Sequence, residues 1–299
     1  MPHPAPLALA GLLAALGLAA CAPPRPAAGG GGAGGAADAV RVMSFNLRLD
    51  VASDGADAWP HRREAAAAII RGADVVGVQE AQPGMLDDLD ARLPDFARVG
   101  TGRDADGGGE QSAVLYRADR FEATASGTFW LSPTPDVPGS VGWDAALPRI
   151  ATWVRLRGRG GRPFVVVNTH FDHVGALARR ESARLLVDRA LALADGAPLV
   201  VTGDVNAADT SDVYRTLTAA LRDARLASEA PATGPAATWN AFGRATDARR
   251  IDLVLVGGPV RVLRAGTDGR TVGDVLGTDS ARLPSDHYPV TASVAFGER

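Results

Sequence analysis

The chain has 299 residues, 46% hydrophobic and 22% charged, a globular texture that excludes disorder over the whole length. A net charge of −3 argues against the broad basic surface with which proteins hold duplex nucleic acid. The basic residues are all Arg and none is Lys, so an individual Arg carries little functional weight on composition alone.

The first informative segment is residues 7–20, an unbroken run of Leu, Ala and Gly. It is shorter than the ~20 residues a spanning helix needs and suits the apolar region of a signal peptide. The run ends at Cys21, the one cysteine of the chain, so neither an intramolecular disulfide nor a thiolate zinc cluster is available. Leu18-Ala19-Ala20-Cys21 resembles the bacterial lipobox, in which the signal is cut before a Cys that is then lipidated. Residues 1–6 depart from the usual signal in having no Lys or Arg. The expectation is a signal peptide over 1–20, a Gly/Ala/Pro-rich tether over 21–39 and a folded domain over 40–299. Such a chain would be exported and held to a membrane through Cys21, facing the periplasm or the cell exterior.

From residue 40 the pattern becomes that of a folded domain. Strands are predicted over 40–46, 74–80, 112–116 and 121–130, with helices over 60–72 and 83–93 and a Gly/Asp-rich loop over 101–109. A Pro-rich excursion runs to Pro148. Strands over 150–156 and 164–169, the longest helix over 176–194, and strands over 199–202, 250–256, 260–264 and 288–296 complete the pass. Helices separate only some of the strands. Two stacked mixed sheets with outer helices therefore fit better than one parallel sheet.

Strand after strand ends in a residue able to bind metal or move a proton: Asn46, Glu80, His170, Asp204 with Asn206, Asp252, and Asp286 with His287. Each alone has a structural explanation, a turn or an ion pair. Carboxylates gathered beside apolar strand ends imply a shared, solvent-facing site, because they are rarely buried unless paired or metal-bound. The blocks Ser44-Phe45-Asn46, Gly77-Val78-Gln79-Glu80, Ala113-Val114-Leu115-Tyr116, Asn168-Thr169-His170-Phe171-Asp172-His173, Gly203-Asp204-Val205-Asn206, Arg250-Ile251-Asp252 and Ser285-Asp286-His287 resemble, in this order, those of the endonuclease/exonuclease/phosphatase family. Trp59-Pro60-His61-Arg62-Arg63 adds a resemblance to bacterial exported members.

That resemblance implies an α/β fold, a four-layered α/β/β/α sandwich, and a divalent-metal-dependent phosphoester hydrolase working by activated-water attack. It implies Mg²⁺ or Mn²⁺ held by Glu80, Asn46 and Asp286, in keeping with hard oxygen donors. It also implies catalytic roles for His170, Asp204, Asn206 and His287, with Asp252 orienting His287. Either Asp204 or His287 would take the proton from water. Arg149, Asp172 and His173 are further candidates for substrate contact. Two departures stand out: Val205 where Phe is common, and Arg48 where some nuclease relatives carry an acidic metal ligand. The Trp239–Phe242 stretch is read either as a cleft wall or as a core cover. The expected substrate is a small or lipid-type phosphoester, with a surface nuclease of DNA or RNA as the alternative. A catalytically silent binder on the same fold is a third reading. No protein partner is inferred, and the chain is expected to be a monomer.

Overall fold

The computed structural model describes residues 1–5, 39–158, 161–247 and 249–297. The lipobox with Cys21, and nearly all of the signal and tether segments, lie outside the described residues. The folded body falls within residues 36–299.

The first sheet is built from β1 (Val40–Asn46), β2 (Val75–Gln79), β3 (Phe96–Val99), β4 (Val114–Arg117), β11 (Val260–Thr267) and β12 (Val290–Phe296), in the order β11-β12-β1-β2-β4-β3. The second contains β5 (Phe121–Trp130), β6 (Ile150–Gly158), β7 (Pro163–His170), β8 (Leu199–Asp204), β9 (Arg222–Asp223) and β10 (Asp252–Gly257), in the order β5-β6-β7-β8-β10-β9. Both sheets are mixed. The β1/β2 pair is parallel in one and the β7/β8 pair in the other. The expected sandwich is thus present.

Period-two burial explains the layering. Val40 and Val42 of β1 face the other sheet and join Val166, Val200 and Val254 in a central core. Met43 and Phe45 face outward and pack under α1 (Arg63–Ile70) and α2 (Pro83–Arg92) through Ile69, Ile70 and Leu86. On the far side, α3 (Ala176–Ala194) and α4 (Asp212–Ala220) cover the second sheet through Leu186 and Leu217. Of two short helices, α5 (Ala224–Ala227) packs Ala224 into the central core and α6 (Val272–Leu276) lies against the α1 side.

Toward one end, the apolar core gives way to a polar layer. Asn168 on β7 donates across the gap to the Val78 carbonyl at 2.8 Å, and its Oδ1 accepts from Gln79 Nε2 at 2.6 Å and Thr202 Oγ1 at 3.0 Å. The sheets come so close here that a Cβ on Gly77 would lie 2.1 Å from Thr202 Oγ1, so only glycine fits. This seam ties the two sheets directly beneath the strand ends that carry the polar blocks.

Candidate active site

Strand register alone assembles most of the site. His170 pairs with Asp204 across parallel β7/β8, and Asp252 pairs with Asp204 across antiparallel β10/β8. On the other sheet Asn46 pairs with Gln79, placing Glu80 one residue beyond. Glu80, Asn206 and Arg48 adopt positive φ of 57°, 47° and 56°, three non-glycine residues held in the left-handed region at one end of the sandwich. Local strain of this kind persists where surrounding contacts over-determine it.

The contacts run from sheet to sheet. Asn46 Nδ2 donates to Glu80 Oε1 at 2.9 Å and to Asp204 Oδ2 at 3.0 Å, while its Oδ1 accepts from the Arg48 N–H at 2.9 Å. Asn46, expected as a metal ligand, is fully buried with each amide atom engaged, and this geometry suits it to positioning the two carboxylates. Glu80 Oε2 accepts from the Leu49 N–H at 3.0 Å. Asp204 Oδ1 accepts from the Asn206 N–H at 2.9 Å.

His287 Nδ1 lies 2.9 Å from Asp252 Oδ2 and 3.8 Å from Asp204 Oδ2. With Nδ1 spent on Asp252, Nε2 is the atom left for the cleft that His287 lines. Thr238 Oγ1 accepts from the N–H groups of Ile251 and Asp252, both at 3.0 Å, fixing the start of β10 that delivers Asp252. Burial opposes a charge on His287, but Asp252 and then Asp204 outweigh it and raise its pKa to about 10. Burial, then the charge of Asp252, raises Asp204 to about 7 in spite of His287.

His170 behaves differently. Its Nε2 sits 3.0 Å from Asn206 Nδ2, which also donates to the Phe171 carbonyl at 3.0 Å. That carbonyl orients the Asn206 amide, so His170 Nε2 accepts rather than donates in this arrangement. Burial, then Arg149, holds His170 well below its usual pKa, hence neutral.

Arg149 is buried, lines the cleft, and meets His173 Nδ1 at 2.9 Å through Nη2. Asp172, expected at the substrate, does not line the cleft. It is 1% exposed behind Arg149, and its Oδ1 accepts from the N–H groups of Val174 and Gly175 at the entrance to α3. Burial opposes its charge, but these backbone donors hold its pKa down at about 2. It is a brace for the turn. Val205 is simply a buried apolar residue.

The cleft measures about 490 Å³ and is walled by Trp239, Arg249 and Ile251 along with Leu147, Arg149 and His173. Of the Trp239–Phe242 stretch, Trp239 is the wall, with the Arg249 guanidinium 4.4 Å from its ring centroid. Phe242 turns away to stack on Arg62 and Arg244. Of the acidic residues in the Gly-rich loop, Glu110 reaches the cleft, held at 2.9 Å by Arg103, while Asp104 and Asp106 stay exposed. In the sequence Glu110 is legible on a loop that could flank the cleft, but nothing there signals its partner Arg103 or Thr238.

A divalent cation fits the Glu80 side. Glu80 and Asp286 line the same cleft as oxygen donors. Burial raises Asp286, and the Glu80 charge adds to it against the pull of His287, so a cation between the two carboxylates would relieve their repulsion. Arg48 lines the cleft too, but pairs with Asp54 at 2.9 Å. A second acidic group, Asp204, Asp252 and His287, has donor atoms within 4.8 Å of one another. There His287 Nδ1 is bonded to Asp252 while Nε2 faces the cleft beside the raised carboxyl of Asp204, so it reads as a proton-handling group.

Residues 43–287 match the model of the endonuclease/exonuclease/phosphatase family. The chain belongs to this family. No curated protein sequence matches it. Among solved structures it is similar to an endonuclease/exonuclease/phosphatase of Bacteroides vulgatus, at 37% identity and TM-score 0.80 over 87% of this chain and 99% of that one. It is also similar to a mannosyl-6-phosphatase of Bacteroides thetaiotaomicron, at 35% identity and TM-score 0.80 over 86% and 100% of the two chains. The human nocturnin catalytic domain, at 20% identity and TM-score 0.66 over 87% and 94%, shares the fold. As a member of the endonuclease/exonuclease/phosphatase family the protein is a phosphoester hydrolase.

Proposed function

We propose that the protein hydrolyses a small phosphoester, of sugar-phosphate type, with Mg²⁺ or Mn²⁺ at Glu80 and Asp286. The observation that carries this is the walled cleft of about 490 Å³ closing on Asp204 and His287. That size suits a compact ligand and not a duplex. The likeness to a mannosyl-6-phosphatase over nearly the whole domain supports the same reading.

A bound cation would supply charge neutralisation on the phosphate and lower the pKa of water. Asp204, raised to about 7, is the group matched to accept a proton from water near neutral pH. His287, protonated below about 10, presents its Nε2 proton to the leaving oxygen while Asp252 holds Nδ1. Water gives its proton to Asp204, its oxygen bonds phosphorus, the ester P–O bond breaks, and the departing oxygen takes the His287 proton. Asn46 spans Glu80 and Asp204, coupling the cation side to the base side.

The proposed setting is a lipoprotein anchored at Cys21. The chain enters the domain at Val40, the end of β1 opposite Asn46, roughly 20 Å from the site for a seven-residue strand. The test compares catalytic efficiency on a hexose 6-phosphate, a generic phosphodiester, sphingomyelin and plasmid DNA at matched metal and salt. Preference for the hexose phosphate is expected, and efficient plasmid cutting with trace turnover of the others would overturn the reading.

A further inference from the structure

The Trp59-Pro60-His61-Arg62-Arg63 motif is not used by any catalytic step, yet it contains the most unusual cation in the molecule. Arg63 makes an ordinary half-exposed pair with Asp88 at 3.1 Å. Arg62 is 1% exposed and, among the described residues, contacts no carboxylate. Its guanidinium donates only to backbone carbonyls: Asp57, Leu47 at 2.6 Å, Pro284 at 3.0 Å and Arg48 at 3.0 Å. The rings of Trp59 and Phe242 flank it at 5.5 and 5.4 Å.

Burying a cation without a carboxylate is costly, and apolar side chains of similar volume often serve stability as well or better. What an apolar residue cannot do is bind carbonyls from several loops at once. A planar guanidinium with five donors can. The loops it joins are those that hold or carry the metal-side carboxylates. Leu47 and Arg48 lead to Leu49, whose N–H holds Glu80 Oε2. Pro284 stands two residues before Asp286, and Ser285 Oγ adds a parallel tie to the Asn46 carbonyl at 2.7 Å.

We infer that Arg62 is a positioning residue that sets the separation of Glu80 and Asp286, and through it the affinity for the divalent cation, without touching substrate. The inference rests on the proposed metal reading of these two carboxylates. Arg62 acts from behind the site: it fixes two loop ends, and each loop end fixes one carboxylate. A Lys in its place keeps the charge but has three donors without a planar fork, so it cannot satisfy all four carbonyls in their present arrangement.

The test is Mn²⁺ binding to the full chain without substrate, followed by the electron paramagnetic resonance of free Mn²⁺. Thermal unfolding in chelator is measured alongside for wild type, Arg62→Lys and Ser285→Ala. Loss of an outer positioning partner is expected to weaken Mn²⁺ binding roughly tenfold or more in Arg62→Lys. Ser285→Ala should weaken it in the same direction by a smaller factor. At saturating Mn²⁺, turnover by Arg62→Lys should return close to wild type with KM for a hexose 6-phosphate unchanged. A variant that unfolds earlier but binds Mn²⁺ like wild type assigns Arg62 a purely structural role and overturns the inference. If Arg62→Lys does not fold, Ser285→Ala decides, and unchanged Mn²⁺ affinity there overturns it equally. A wild-type chain that binds no Mn²⁺ sinks the metal reading itself, an outcome distinct from wild-type binding that the variants leave untouched.

Discussion

Replacing Asp204 by Asn should abolish activity and yet, above neutral pH, make the metal-free protein more stable. The carboxyl rises from 3.8 to about 7 on folding, mainly through burial and then the charge of Asp252. A group that titrates higher in the folded chain costs stability progressively as pH climbs from the unfolded value through the folded one. At ~1.4 kcal/mol per unit, the upper bound for this interval is on the order of 4 kcal/mol. Against this stands an acceptor lost to the amide: Asp204 accepts from both Asn46 Nδ2 and the Asn206 N–H, and one carbonyl oxygen cannot replace two carboxylate oxygens. That loss costs about 1–3 kcal/mol at every pH. Asp204→Asn should therefore be less stable than wild type near pH 4, where the native carboxyl is already protonated. The deficit should shrink as pH rises and reverse, by at most about 1–3 kcal/mol, near pH 8. His287 adds to the trend: its raised pKa stabilises the native state below the ordinary imidazole range, and this contribution is lost as pH rises through about 10. Since Asp204 sustains part of that shift, its removal shrinks the loss. The assay is urea unfolding in chelator from pH 4 to 9. A stability difference that stays flat with pH, or that turns against the variant as pH rises, would refute the assignment of Asp204 as a buried, charge-strained carboxylate.

Other outcomes follow from the same geometry. Turnover should rise with pH through the range in which Asp204 deprotonates and fall as His287 loses its proton toward about 10; a rate independent of pH from 5 to 9 would contradict the assignment of Asp204, and a rate that does not fall above pH 9 would contradict that of His287. His287→Ala should cost on the order of 10²–10⁴ in rate and Asp252→Asn should impair the same step, with circular dichroism unchanged. Trp239→Ala should raise KM for a hexose 6-phosphate more than for methyl phosphate, because the ring walls the cleft beyond the phosphate; equal effects would make it a mere cover. Cys21→Ser should abolish labelled-palmitate incorporation, and a variant labelled like wild type would exclude the lipobox.

How legible this was in the sequence depended on the reach of each signal. The strand over 40–46 and the helix over 176–194 are read at their observed bounds, because β1 is a compact, mostly apolar run closed by Asn46 and α3 is long. The four residues of β3 are not predicted: an edge strand of intermediate burial has neither an apolar run nor a sharp alternation. The helix α4 is hidden by two Thr in nine residues and is revealed by its Ser211 cap, whose side chain accepts from the Tyr214 N–H. Strand-tip chemistry is legible because an apolar run ending in a carboxylate is locally odd. Roles are less so. Asn46 is legible as a residue of the metal side, but its hydrogen bonds to Glu80 and Asp204, which join the two sheets, are not. Asp172 sits in a motif block yet stays behind the cleft, holding its own turn with Oδ1 and Arg149 with Oδ2. Arg62 meets the Pro284 carbonyl across 222 residues of sequence, a contact that no local pattern announces.

The most direct measurement of the central claim is phosphate release from a hexose 6-phosphate by the purified protein as isolated, in excess chelator, and after return of Mg²⁺ or Mn²⁺, with Glu80→Gln run in parallel. The account predicts loss of release in chelator, recovery with either metal, and a folded Glu80→Gln variant that recovers with neither. Undiminished release in chelator, or a Glu80→Gln variant restored like wild type, would contradict it.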